Sequence, residues 1–312
     1  KEVLIDVLKT RWPVFIWGPP GVGKSSLVKE IVSDKKLNLI DVRASLLDPT
    51  DLRGIPYVTS ERAKWAPPAF LPYDKKSEGI LFFDELNAAP PLVQASLYQL
   101  TLDRRLGEYE LPEKWRILAA GNRAEDASVV FRMPAALSNR FIHLDFEHNL
   151  EDWRNWAIDN RIHPLVLGFL GTRGEMLFKM SSSERAFPTP RSWEILSDQL
   201  QVFDNYKQIE ELMTGTIGEA ATIEFMAYCR NALSEKQILE IIKDPEKAKL
   251  PEKLSDIYAL ISYLISRNED YEVRVAGAKL LNRLSPEMAV LLIRDFLRAN
   301  PKFAMEPSYQ KF

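Results

Sequence analysis

The stretch Gly18-Pro19-Pro20-Gly21-Val22-Gly23-Lys24-Ser25 constrains this chain more than any other. It fits the phosphate-binding pattern G-x-x-x-x-G-K-[S/T] at every fixed position. Val14-Phe15-Ile16-Trp17 before it is an apolar run of buried-strand character, and Leu27, Val28, Ile31 and Val32 after it recur at helical spacing. A strand, a glycine turn and a helix start aim several backbone N–H groups and a helix N-terminus at one point. Gly21 and Gly23 lack a Cβ, so the backbone there can wrap a phosphate closely. Lys24 is expected to reach the β- and γ-phosphates of a nucleoside triphosphate, and the Ser25 hydroxyl to ligate Mg²⁺. Gly18 to Ser26 are thus the expected nucleotide-binding residues.

The rest of the first half alternates strands and helices. Residues 2–9 place Val3, Leu4, Val7 and Leu8 on one side of a short helix. Leu37 to Val42 reads as a second strand, Ile80 to Phe83 as a third, Trp115 to Ala120 as a fourth and Phe141 to Leu144 as a last one. Pro90-Pro91 suits the first turn of a helix running to about Arg104, a small hairpin is expected over 105–112, and a short helix over 134–140. Such alternation predicts a parallel sheet covered on both faces. Residues 48–79 carry five prolines and no clear period, too long for a plain connection, and read as an inserted element with a function of its own. From Asn149 on the strand signal disappears. Asn149 can cap a helix carrying Leu150, Trp153 and Ala157, and the same spacing returns in Trp193, Leu196, Leu200 and Phe203, in Ile257, Leu260, Ile261 and Leu264, and in Ala289, Leu292, Ile293 and Phe296. The expected division is an α/β core over 1–148, an α-helical lid over 149–243, and a helical C-terminal extension over 244–312, the last boundary lying in the charged, proline-bearing run Lys243 to Pro251.

Hydrolysis of a phosphoanhydride needs a positioned cation, an oriented water and compensation of the γ-phosphate charge. Asp84 ends an apolar strand, where it can hold Mg²⁺ opposite Ser25, and Glu85 next to it is free to act as general base. Asn122 ends another buried strand; its amide can meet the γ-phosphate or the attacking water, or serve as a plain turn residue. Arg140 and Arg191, taken alone, read as surface charges.

Gly18–Ser25, Phe83-Asp84-Glu85, Gly121-Asn122, Asn139-Arg140-Phe141 and Thr189-Pro190-Arg191 together resemble, in order and spacing, an AAA+ ATPase. The resemblance is to the MoxR branch of the helix-2-insert group, through Asp48-Pro49-Thr50-Asp51-Leu52-Arg53-Gly54, Asp84-Glu85-Leu86-Asn87 with Gln94, and Leu106 to Pro112 as the pre-sensor hairpin. It covers residues 1 to about 203. It implies a P-loop AAA+ core with a five-stranded parallel sheet, followed by an all-α lid and a helical tail. It implies catalytic roles for Glu85, Asn122 (sensor 1), Arg191 (sensor 2, which also contacts nucleotide) and Arg140, the arginine finger offered to a neighbouring subunit. ATP with Mg²⁺, a ring-shaped homo-oligomer (a hexamer), and a protein substrate or von Willebrand factor A-domain partner follow from the same resemblance, as does chaperone-like remodelling. Two positions depart from the MoxR pattern: Ala88 stands where arginine is common, and Asn139 where an acidic residue is common. Neither change removes a nucleotide-contacting group.

Two other functions are compatible with parts of this pattern, a nucleic-acid motor of the helix-2-insert group and a nucleotide-gated binding module. A net charge of −3 and the lack of a basic stripe argue against nucleic acid as a partner, and Glu85 argues against a pure switch. A single cysteine, Cys229, excludes an intramolecular disulfide and fits a cytoplasmic setting; Phe225, Met226 and Tyr228 around it read as core. No apolar run approaches the ~18 residues of a membrane span, and no signal peptide is read, although a start at Lys1 rather than methionine leaves a leader or a trimmed start open.

Overall fold

The computed structural model describes residues 1–126, 130–181, 184–203 and 205–311. The chain forms two compact units, Lys1–Glu147 and His148–Phe312.

The first unit is built on a five-stranded sheet. In chain order its elements are α1 (Glu2–Val7), β1 (Val14–Trp17), α2 (Lys24–Lys35), β2 (Asn38–Arg43), α3 (Pro49–Arg53), β3 (Ile55–Val58), β4 (Ala63–Ala66), β5 (Gly79–Asp84), α4 (Pro91–Asp103), β6 (Arg105–Leu106), β7 (Tyr109–Glu110), β8 (Trp115–Gly121), α5 (Ala135–Ser138) and β9 (Ile142–Asp145). The sheet runs β2-β5-β8-β1-β9, and every pairing in it is parallel. Its central strands are apolar except for Arg116 near the start of β8 and Asp84 at the end of β5, as expected where both faces are covered. Val14, Ile16, Ile80, Phe82, Leu118 and Ala120 pack with Leu4, Val28 and Ile31 on one face. Phe15, Leu81, Phe83, Ile117 and Ala119 point the other way, against Leu52, Val93, Leu97, Leu100 and Leu137. Each buried leucine- or phenylalanine-sized side chain contributes roughly 1.5–3 kcal/mol through removal from water, so the sheet is a firm base for whatever its ends carry.

Strand β2 begins one residue later than expected and extends to Arg43. It is an edge strand with only partly buried side chains, so it needs no continuous apolar run, and its ends are set by pairing to β5.

The segment 48–79 is not one uniform element. Asp48 and Asp51 form a capping box at the start of α3, and Leu52 is fully buried in the core. Leu71, at the other end, is also buried there. Between these two anchors the hairpin β3–β4 is exposed at every position, with Ile55, Tyr57, Val58 and Trp65 open to solvent.

The second unit is helical: α6 (Leu150–Asp159), α7 (Pro164–Thr172), α8 (Pro190–Val202), α9 (Glu210–Ile217), α10 (Glu219–Asn231), α11 (Glu235–Lys243), α12 (Leu254–Ser266), α13 (Tyr271–Leu280), α14 (Pro286–Ala299) and α15 (Pro307–Gln310). Asn149 caps α6 by accepting from Asp152 N at 3.0 Å. One apolar cluster gathers Trp153, Phe169, Trp193, Leu196, Leu200 and Phe225; another gathers Ile241, Leu260, Ile261, Leu264, Leu292 and Phe296. Phe203, expected on the buried face of α8, lies past the helix end and is 42% exposed. Arg154 of α6 and Asp295 of α14 form a buried ion pair at 2.7 Å. Asp295 is also paired with Arg294 Nε at 3.1 Å, so the costlier change is loss of Asp295, which leaves Arg154 as a buried charge without its carboxylate, at about 3–5 kcal/mol. Burial pushes the Cys229 thiol up to about 12, which keeps it protonated and unreactive. Among the described residues no helix is long and apolar enough to cross a membrane.

His163 caps α7: its Nδ1 accepts from Leu165 N at 3.2 Å, so the ring must be neutral there. Burial lowers its pKa from 6.5 to about 4. Between those two values the unfolded chain binds a proton that the folded chain refuses. Stability from this site is complete above about pH 6.5 and is lost progressively as pH falls toward 4. His163→Asn keeps a capping acceptor and removes the titration. The expected result is a smaller fall in urea midpoint between pH 7 and pH 5 for the variant than for the parent; equal falls would rule the site out as a source of acid sensitivity.

Candidate nucleotide-binding and catalytic site

Three adjacent strands end at one place. The loop after β1 carries Gly18 to Gly23, β5 ends in Asp84, and β8 leads into Asn122. Ligands of open α/β sheets sit at such carboxyl ends. Gly21 and Gly23 have φ of 74° and 106°, a left-handed backbone that glycine adopts without steric cost and that turns the chain into α2. Gly18 N donates to Gly121 O at 3.3 Å, which ties the loop to β8. Pro19 and Pro20 stiffen the loop, and Val22 beneath it is buried.

Lys24 is the first residue of α2 and is 92% removed from solvent, with 8% exposure. Its Nζ donates to Gly18 O at 2.6 Å, to Pro19 O at 2.9 Å and to Asn122 Oδ1 at 2.9 Å. The ammonium is therefore held inside the loop's curve, where phosphate oxygens are charged acceptors for the same donors. Ser25 Oγ donates to Asp84 Oδ2 at 2.6 Å, so hydroxyl and carboxylate already converge. Ser26 follows on the exposed side of the turn. Among the described residues no cluster of three acidic, histidine or cysteine side chains could hold a metal. A cation bound here would take one hydroxyl and one carboxylate from the protein, a donor set that suits Mg²⁺ completed by water and phosphate.

Glu85 leaves the strand through a left-handed turn, φ 56° and ψ 34°. That conformation costs a non-glycine residue on the order of 1–3 kcal/mol. Its Oε2 accepts from Ser45 Oγ at 2.6 Å, and Arg43 Nη1 lies 3.7 Å from its Oε1. Asp84 Oδ1 accepts from Glu85 N at 3.0 Å, which closes the turn. Neither Ser45 nor Arg43 stood out in the sequence. They reach Glu85 because β2 lies beside β5 with Arg43 opposite Asp84, a neighbour relation that single-strand patterns do not carry. On the same edge, burial together with the Asp84 charge holds the Asp41 carboxyl above its ordinary range.

Lys24 is hydrogen-bonded to Asn122 and its neighbour Ser25 to Asp84, and Glu85 sits one peptide unit beyond Asp84. The two arginines are placed differently. Arg140 follows α5; it donates to Ala136 O and lies over the Tyr98 ring, 5.4 Å from its centre, while its buried Nε has no hydrogen-bond partner among the described residues. Arg191 is the second residue of α8 in the second unit, exposed, on a helix start fixed by the Thr189–Ser192 capping box.

Residues 13–141 match the AAA domain family, dynein-related subfamily. Protein MoxR of Methylorubrum extorquens is 27% identical over 170 residues, 52% of this chain and 49% of that protein. Midasin of Giardia intestinalis is 27% identical over 165 residues, 50% of this chain and 3% of that protein. The chain thus spans half or less of the length of these curated relatives. A solved mutant of RuvB from Thermotoga maritima aligns over 84% of this chain and 78% of its own at 18% identity, with a TM-score of 0.43. The α/β unit that holds the loop, the acidic pair and Asn122 thus carries an AAA domain over residues 13–141, and it is similar to Protein MoxR.

Proposed function

We propose that this chain hydrolyses ATP with Mg²⁺ and, as a ring-shaped homo-oligomer such as a hexamer, uses the cycle to remodel or activate a protein partner. The observation that carries the reading is the convergence of Lys24, the Ser25–Asp84 pair, Glu85 and Asn122 at the ends of three neighbouring strands. In this reading Lys24 and the loop's N–H groups take the β- and γ-phosphates. Ser25 and Asp84 would hold Mg²⁺, which when bound offsets phosphate charge. Glu85 accepts the proton of the attacking water, with Ser45 and Arg43 fixing where its two oxygens lie. Asn122 presents its amide to the water or the γ-phosphate. Arg191 would contact the nucleotide from the lid, and Arg140 would serve the site of the adjacent subunit. The protonated, partly buried Cys229 fits a reducing, cytoplasmic setting. A von Willebrand factor A-domain protein is the partner class this family resemblance suggests.

Lys24→Ala and Glu85→Gln separate binding from turnover. The first is expected to lose nucleotide binding, since no other cation replaces the ammonium, and the second to bind ATP while losing turnover at least a hundredfold. Binding is read with a fluorescent ATP analogue and turnover by phosphate release. Glu85→Gln turnover within a few fold of the parent would deny Glu85 the role of base.

Arg140 tests the ring. An arginine that decorates a surface is replaced with a change within about 0.5 kcal/mol and no loss of rate, whereas a finger is worth roughly a thousandfold or more. Arg140→Ala is expected to bind ATP and be nearly inactive, and to regain part of its activity when mixed with Lys24→Ala, which keeps its own Arg140. No recovery in mixed oligomers would place Arg140 outside any neighbouring site.

The exposed apolar hairpin β3–β4 is the surface we assign to the protein substrate, because Ile55 and Val58 are 74% and 85% exposed between two buried anchors. Proteins captured by the Glu85→Gln chain should be lost when Ile55, Tyr57 and Val58 are together changed to serine, with basal ATP turnover of the otherwise unaltered chain within about twofold, as surface changes seldom disturb stability. Undiminished capture would move the contact elsewhere.

A further inference from the structure

The two catalytic strand ends are not held together by the sheet itself. The register of β5 against β8 stops at Phe83↔Ala119, whereas β8 stays paired with β1 as far as Trp17↔Gly121. Asp84 and Glu85 on one side, and Gly121 and Asn122 on the other, therefore lie beyond the last paired rung between β5 and β8. Asn87 bridges this gap. It sits in the 3₁₀ turn Leu86–Ala88 directly after Glu85, is 3% exposed, and its Nδ2 donates to Asn122 O at 2.7 Å. Its backbone oxygen accepts from Phe131 N, also at 2.7 Å. Gly121 makes room for it: a Cβ at that position would lie 2.1 Å from Asn87 Oδ1. The amide thus stands in the place of a missing rung, with one end on the Glu85 turn and the other on the backbone of the residue whose side chain accepts from Lys24.

We infer that Asn87 is a positioning residue that fixes the distance between the Glu85 carboxylate and the Asn122 amide, and so the place of the attacking water between them. The inference rests on the ATPase reading of this site. Its physical basis is the steepness of catalysis in geometry: displacement of a catalytic group by about 1 Å can cost a hundredfold in rate while leaving substrate binding nearly intact. A residue that merely fills space has a different signature. Its replacement by a side chain of the same shape restores function, and loss of turnover follows loss of stability.

The test uses the full chain with Asn87→Ala and Asn87→Leu. Leucine fills the same branched volume without a donor, so it preserves packing and removes the bridge. Turnover, affinity for a fluorescent ATP analogue and melting temperature are measured for both variants and for the parent. The expected result is a loss of turnover of at least tenfold in both variants, with analogue affinity within threefold of the parent. Leucine should not rescue turnover even where it restores the melting temperature. Parent-like turnover in Asn87→Leu overturns the bridge and leaves a space-filling residue. Loss of analogue binding in step with turnover overturns it as well, because Asn87 would then support the unit as a whole. A parent chain that hydrolyses no ATP under conditions where it binds the analogue overturns the ATPase reading itself, and the role of Asn87 with it.

Discussion

The buried ammonium of Lys24 is the interaction on which the site depends. A cation so far removed from water is costly unless oxygen atoms surround it. Here two carbonyls of its own loop and the Asn122 side chain do so. Those oxygens come from segments far apart in the chain, so meeting the needs of one charge fixes the curve of the loop and the end of β8 at once. The Ser25–Asp84 bond does the same for the end of β5. The geometry of the site is thus a by-product of solvating one charge and one hydroxyl within a rigid sheet.

Much of this was legible in the chain. The glycine loop, the apolar strand ending in Asp84, the one leading into Asn122, and the Asn149 cap are local patterns, and local chemistry produces them. The flanks of 48–79 were less legible, because Leu52 and Leu71 are single apolar residues whose burial depends on distant partners. Ser45, Arg43 and the contact of Asn87 could not be read from spacing at all, since each depends on which strand lies beside which. Phe203 misled for the opposite reason. Its spacing suits the buried face of α8, but the helix ends before reaching it.

The left-handed turn at Glu85 belongs to the same account. Backbone strain of this kind persists where surrounding contacts over-determine it. The bonds from Ser45 Oγ and Asp84 Oδ1, and the 3₁₀ turn that follows, are such contacts. Energy spent on the turn is recovered as orientation of the carboxylate, which an extended strand end would leave to swing.

The strand order has a consequence for how the molecule comes into being. β1, which delivers the phosphate loop, is flanked by β8 and β9, and its partner residues Leu118 and Ile142 are made more than a hundred residues later. In a chain emerging from the ribosome the loop therefore appears well before the two strands that give it lateral support. Pairing over such a separation is slow, because the chain must lose the entropy of a long closure before any contact is gained. A nascent or truncated chain that ends before β8 carries the whole glycine motif but lacks the sheet positions and the Asn122 oxygen that shape it. Nucleotide can stabilise only the completed unit, so in this fold ligand binding reports on the last steps of folding rather than guiding the first.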